Sequence, residues 1–310
     1  QSPRKARGYN NLGKSLMDER QWTDAIRYFH TALTLNPDNE MSAGILTNLG
    51  HASINLDRFD DAMQSLRAAI RLKPTLAASH DNLGDVYRKQ GRHNEAVLEY
   101  KEALRLDPRY ANAHDNLGLV YQGEGKLDAA LQQFEAAIAL NPDFAGAYNN
   151  QGIVENMRGH DEAAIKKFQK ALALDPSLAE VHNNLGIIYA RLGRTDEAMG
   201  EYRAAIALQP DYAEAHMNLA NSYHALRRLD LAVQEYKTAI AIRPGYARAH
   251  YNLGVVYYEQ GLRPLAREEF EQAVQLDPHD AQAHNNLGIV YQELGRLEDA
   301  GREFQAASRK

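Results

Sequence analysis

Apolar and small residues recur along the chain in paired blocks, each with the three-to-four-residue spacing of a helix that buries one face. The first block of each pair centres on Leu-Gly or a near equivalent, at 12–13, 49–50, 83–84, 117–118, 151–152, 185–186, 219–220, 253–254 and 287–288. The first interval between pairs is 37 residues and every later one is 34. The second block holds two alanines seven residues apart, about two helical turns, so both fall on one stripe. They run from Ala25 and Ala32 in the first unit to Ala300 and Ala307 in the ninth, with an aromatic three residues before the second alanine everywhere except Leu66. Proline closes eight units, from Pro37 and Pro74 to Pro278. It lacks an N–H and disfavours helix in the preceding residue, which ends the hairpin.

This pattern predicts an all-α chain of nine helix-turn-helix repeats, about 18 helices, in a single array over 1–310. The repeats fall at about 6–42, 43–76, 77–110, 111–144, 145–178, 179–212, 213–246, 247–280 and 281–310. A mid-helix glycine costs roughly 0.5–1 kcal/mol relative to alanine, so eight at one register imply close approach by a second helix. Ala220, the departure, is also small. The tyrosine four residues after the leucine, as in Tyr87, Tyr189 and Tyr291, is expected between neighbouring units. Gln151 and Glu155 replace the leucine and tyrosine in the fifth unit, making that seam the most polar. Three extra residues between Pro37 and Leu49 disturb the first junction. Pro264 falls in the first turn of a second helix, which tolerates it.

These residues resemble the tetratricopeptide repeat, the 34-residue hairpin marked by an aromatic, Leu-Gly, Tyr, Ala, Phe and Pro in order, and the resemblance covers almost the whole chain. It implies a right-handed superhelical solenoid whose first helices line a concave groove, and a role in holding another polypeptide. Pro3 precedes Leu12 by nine residues, as Pro74 precedes Leu83, and so reads as the closing proline of an earlier unit. No helix follows to cover Ala300, Phe304 and Ala307. Together these suggest a piece excised from a larger protein, with end-to-end self-association as one expected property.

Asparagine stands immediately before the leucine in all nine units: Asn11, Asn48, Asn82, Asn116, Asn150, Asn184, Asn218, Asn252 and Asn286. Helix propensity does not ask for it, since asparagine prefers caps. The family geometry points this residue into the groove, where its amide and carbonyl match the N–H and C=O of an extended peptide. Such a continuous ladder resembles the superhelix of O-linked N-acetylglucosamine transferases, as in HDNLGDVY and HNNLGIIY. Two readings stay open: the asparagines grip a ligand, or they bridge adjacent first helices. Chaperone-tail clamps of the family place a lysine just before this asparagine. Here that slot holds Asn10, Thr47, Asp81, Asp115, Asn149, Asn183, Met217, Tyr251 and Asn285, so no cation awaits a terminal carboxylate. Instead Asp81, Asp85 and Asp115 suggest an acidic inner wall suited to a Lys/Arg-bearing segment, while Tyr251 and Tyr258 suggest an aromatic groove contact.

Composition narrows the partners further. Lys plus Arg total 35 against 41 Asp plus Glu, a formal charge of −6, which argues against nucleic acid and anionic lipid and mildly favours a basic partner. No run of 18 apolar residues suggests membrane insertion, and there is no secretory leader. The chain reads as soluble, with the cytoplasm slightly favoured over the periplasm, because the absence of cysteine fits both. Histidines two residues before the ladder, such as His80, His114 and His250, lie 34 residues or a multiple apart, too far for one metal ion, and are expected to pack at the seam. QGEGK at 122–126 falls in a turn and lacks the rest of a phosphate loop. No localised nucleophile, base and orienting group recur, so the chain is expected to be no enzyme and to need no cofactor. The leading function is an interaction scaffold for an extended peptide or flexible protein segment. The alternatives are the substrate-recognition arm of a glycosyltransferase, including one appended to a membrane enzyme, and a self-assembling scaffold.

Overall fold

The computed structural model describes residues 2–308, and among them every regular element is helical. The chain divides into two compact units, Gln1–Arg158 and Gly159–Lys310. The first contains α1 (Ser2–Asp18), α2 (Trp22–Thr34), α3 (Asn39–Ile54), α4 (Phe59–Leu72), α5 (Ala77–Lys89), α6 (His93–Leu106), α7 (Ala111–Gly123), α8 (Leu127–Leu140) and α9 (Ala145–Met157). The second contains α10 (Asp161–Leu174), α11 (Ala179–Arg191), α12 (Thr195–Leu208), α13 (Ala213–Ala225), α14 (Leu229–Ile242), α15 (Ala247–Glu259), α16 (Arg263–Leu276), α17 (Ala281–Glu293) and α18 (Leu297–Ala307). Within each unit a helix packs on the next, and first helices also touch, as α3 does α5 and α11 does α13.

The core of a hairpin is the alanine stripe with one ring between the helices. Ala130, Phe134 and Ala137 on α8 are fully buried, and so are Ala232, Tyr236 and Ala239 on α14. The Leu-Gly glycine lets that ring lie against the first helix. A Cβ on Gly118 would stand 2.6 Å from Phe134 Cε1, and one on Gly186 would stand 2.6 Å from the same atom of Tyr202. The tyrosine four residues beyond the leucine reaches back to the second helix of the preceding repeat. Arg67 donates to the Tyr87 hydroxyl at 3.2 Å, Arg203 to that of Tyr223 at 3.1 Å, and Tyr291 donates to Glu271 at 2.6 Å.

In six of the hairpins the inner turn is closed by chemistry five residues apart. The basic residue that starts the second helix lies over the tyrosine of the first: Arg92 over Tyr87 at 4.4 Å, Arg194 over Tyr189 at 4.3 Å and Arg296 over Tyr291 at 4.4 Å. One turn residue must adopt a left-handed conformation. Gly91 does so at φ +73°, while Arg227 is held there at +58°.

Pro3 lies in the first turn of α1, where its missing N–H leaves no bond unmade. The three extra residues before Leu49 do not break the junction. They lengthen α3 to 16 residues against 13 for α5, with Asp38 accepting from the Met41 N–H at its start. The second repeat's helix therefore begins at Asn39, ahead of the expected boundary at 43. As expected, Pro264 sits in the first turn of α16, and 122–126 spans the end of α7 and the turn into α8.

Candidate functional site

The ladder asparagines lie one helical position after their slot residue, and the structure joins the two series. Rungs donate Nδ2 to the repeat before them. Asn48 donates to Asn10 Oδ1 at 3.1 Å, Asn82 to the Thr47 carbonyl at 3.4 Å, Asn116 to Asp81 Oδ1 at 3.1 Å and Asn150 to Asp115 Oδ1 at 3.0 Å. In the second unit Asn218 donates to Asn183 Oδ1 at 3.0 Å and Asn286 to the Tyr251 hydroxyl at 3.1 Å. Asn252 breaks the register for a chemical reason. Its slot residue is Met217, which offers no side-chain oxygen, and the amide bonds instead to Asn221 Oδ1, one helical turn further on, at 3.0 Å. Tyr236 donates to the same oxygen at 2.6 Å. Asn11 is exposed, Asn82 is buried, and Asn48, Asn116, Asn150, Asn184, Asn218, Asn252 and Asn286 are half-buried.

A rung bonded in this way has one N–H committed to its neighbour. An asparagine amide has two N–H donors and a carbonyl with two lone pairs, so bridging uses a quarter of its capacity. Bridging and ligand contact are therefore compatible in one side chain.

Asp81 and Asp115 are deeply placed, at 3% and 7% exposure. The acidic wall expected from the sequence is thus sunk between helices, with Asp85 the more open member. Burial pushes the Asp81 carboxyl up to about 7, helped by the charge of Asp85, against hydrogen bonds from Asn116 and Tyr110 that pull it back. Burial likewise pushes Asp115 up to about 6. Asp85 is paired with Arg88 at 3.3 Å and accepts from the Tyr100 hydroxyl at 2.8 Å. These groups border a cleft of about 220 Å³ lined by His51, Asp81, Asn82, Asp85, Tyr110, Asn112, Asp115, Asn116 and Phe144. Burial holds the His51 imidazole below its ordinary value.

Tyr251 and Tyr258 differ in role. The Tyr251 ring packs 5.8 Å from Phe270 while its hydroxyl receives Asn286. Tyr258 bonds to Glu293 at 2.6 Å, lies under Arg263 at 3.9 Å, and lines a small apolar cavity of about 80 Å³ with Val255, Phe270, Asn286 and Ile289.

The histidines before the ladder each tie one repeat together. His80, His182, His216, His250 and His284 meet Glu99, Glu201, Glu235, Glu269 and Glu303 on the following helix at 2.6–2.7 Å, and His114 meets Gln133 at 2.8 Å. In His114, His216, His250 and His284 the second nitrogen reaches the carbonyl of the preceding repeat's closing proline, as from His216 to Pro210 at 3.1 Å. Among the described residues there is no group of three or more ligating side chains that could hold a metal ion, and no helix long and apolar enough to cross a membrane. The rung acceptors Thr47, Asn183 and Asn221 were not singled out from sequence as partners, although the polar character of the slot series was visible there.

Comparison with known proteins fits this geometry. Models of the tetratricopeptide repeat match residues 6–39, 43–76, 111–144 and 251–310, and a model described as TPR repeat matches 84–125, 152–193, 188–227 and 220–261. No curated protein matches by sequence. Among solved structures, a chain of the APC/C hetero-tetramer Cut9-Hcn1 is 17% identical, with a TM-score of 0.73 over 90% of this chain and 54% of its own length. The chain thus spans about half of that relative. The structure from the functional characterisation of Pseudomonas aeruginosa pilF is 22% identical, with a TM-score of 0.62 over 71% of this chain and 96% of its own. YrrB, titled a TPR protein with an unusual peptide-binding site, is 24% identical, with a TM-score of 0.49 over 59% of this chain and 95% of its own. With repeat models tiling the sequence and the same hairpin packing throughout both units, the chain belongs to the tetratricopeptide-repeat family.

Proposed function

We propose that this chain is a protein-interaction scaffold that receives an extended polypeptide segment along its asparagine ladder. The observation that carries the reading is the incompletely used amide. Asn116, Asn150, Asn218 and Asn286 are anchored through Nδ2 to the preceding repeat yet remain partly exposed, so each has a carbonyl turned away from its anchor to offer. Packed helices sit about 8–10 Å apart and an extended peptide advances about 3.3 Å per residue, so within a unit one rung meets roughly every third peptide residue. Each such bond contributes about 0.5–1.5 kcal/mol net, which makes the ladder a sequence-tolerant track of modest affinity. Selectivity then comes from the residues beside it, Asp85 and the cleft in the first unit, and Tyr251 and Tyr258 in the second.

The test is a peptide array followed by the triple change Asn116→Ala, Asn150→Ala and Asn184→Ala in the full chain. Selected peptides should lose affinity while helicity stays close to wild type; the melting curve is recorded alongside, because the same amides bridge helices and its midpoint should fall as Asp81 and Asp115 lose their donors. Undiminished peptide binding by the triple variant refutes the reading and leaves the ladder a purely structural bridge.

A further inference from the structure

We propose that Asp81 and Asp115 are positioning residues that fix the direction of the Asn116 and Asn150 amides, so that this stretch of the first unit accepts a segment through its N–H donors. The inference rests on the groove reading above and adds the polarity of what is held there.

The argument is one of hydrogen-bond capacity. An ionised carboxylate only accepts, so the Asn116 and Asn150 amides must turn their nitrogens toward Asp81 and Asp115, as they do at 3.1 and 3.0 Å. Their carbonyls are thereby turned the other way. Asn82 is constrained in the same sense, because the Thr47 main-chain carbonyl it faces also only accepts. These three rungs are consecutive, and Asn82 and Asn116 line the 220 Å³ cleft together with Asp81, Asp85 and Asp115. A row of side-chain carbonyls beside carboxylates suits a ligand rich in donors: main-chain N–H groups, with a lysine or arginine head toward Asp85.

The second unit differs. Asn218 faces Asn183, Asn252 faces Asn221 and Asn286 faces the Tyr251 hydroxyl, all groups that both donate and accept. There an amide can turn over together with its partner, and a ligand donor or acceptor is received equally.

Protonation releases the lock, because a neutral carboxyl donates as well as accepts. Asp81, pushed up to about 7 by burial, and Asp115, pushed up to about 6, reach that state under mild acid. The groups around Asp81 are Asp85 and Arg88 on its own helix, Asn116 and Asp115 on α7, Tyr110 in the turn before α7, Thr47 and His51 on α3, and Tyr100 on α6.

The test needs no peptide. The side-chain amide signals of Asn116, Asn150, Asn218 and Asn252 in the isotope-labelled full chain are followed by NMR during titration with two probes. N-methylacetamide has an N–H donor and N,N-dimethylacetamide has none. At pH 8 the first should perturb Asn116 and Asn150 about two- to tenfold more than the second, the ratio expected for one hydrogen bond. Asn218 and Asn252 should respond to both alike. Lowering the pH to 5.5 should erase the contrast at Asn116, and Asp81→Asn should make Asn116 behave like Asn218 at any pH. Equal responses to the two probes at Asn116 and Asn150 at pH 8, or no response there, overturn the proposal. Because no peptide takes part, this failure is separate from that of the groove reading, which the triple asparagine variant decides.

Discussion

Gly118→Ala is expected to destabilise the chain although alanine is the better helix former. The new Cβ would stand 2.6 Å from Phe134 Cε1, 2.8 Å from Cδ1 and 3.0 Å from Cζ. Ordinary carbon contacts are about 3.5–4.0 Å, so the ring must retreat by roughly 1 Å. It has nowhere to go, because Phe134, Ala130 and Ala137 are all fully buried. Overpacking of this kind costs about 1–3 kcal/mol, against a helix-propensity gain of about 0.5–1 kcal/mol. The net loss should be about 0.5–2 kcal/mol. Gly200, exposed in the middle of α12 with open space where a methyl group would stand, is the control, and Gly200→Ala should gain about 0.5–1 kcal/mol. Ala220 takes the glycine's register position in the seventh repeat, where it and Tyr236 are both fully buried and the tyrosine hydroxyl is seated on Asn221 at 2.6 Å. A ring can thus be accommodated beside alanine when its neighbours are chosen with it, which a lone change at Gly118 does not provide. The assay is urea unfolding followed by circular dichroism and fitted to a nearest-neighbour array, since repeats need not unfold in one step. If Gly118→Ala is as stable as wild type, or if both substitutions shift stability in the same direction, close approach is not why the glycine is there.

His250 should make stability depend on pH. Its Nδ1 meets Glu269 at 2.7 Å and its Nε2 meets the Pro244 carbonyl at 3.1 Å, two acceptors that favour the imidazolium, and the Glu269 hydrogen bond raises its pKa. The folded value lies above the unfolded one, so the contribution is complete below about 6.5 and is lost as pH rises through the folded value. In chemical denaturation, the stability gap between wild type and His250→Gln should shrink from pH 5.5 to 8.5; a constant gap would show that the charge plays no part. Gln151→Leu should stabilise by roughly 1–2 kcal/mol, because the glutamine is 1% exposed and its Oε1 has no hydrogen-bond partner among the described residues. A lower midpoint for that variant in thermal unfolding would mean the polar group is needed.

The hairpins were legible in sequence because their signals are local. Leu-Gly, the alanine pair and the closing proline report on contacts within one repeat, and Gly118, Ala130 and Pro142 fall where that reading placed them. What lay beyond sequence depends on how far one repeat is offset from the next. Asn116 meets Asp81, 35 residues earlier, only once the helices are packed, and nothing in the spacing distinguishes that partner from Asp85. The depth of Asp81 and Asp115 was hidden for the same reason, since a polar residue on a first helix reads as exposed until its neighbour covers it.

The cation lying over tyrosine at six of the hairpin turns bears on how the chain folds. Tyr87 and Arg92, or Tyr189 and Arg194, are five residues apart, so closing that contact requires almost no chain to be gathered. A hairpin can reach its native crossing before any other repeat is in place, and a chain built from such contacts has low contact order. Folding can start at any of these turns and spread outward to both sides, so an array growing from the ribosome need not wait for its last repeat.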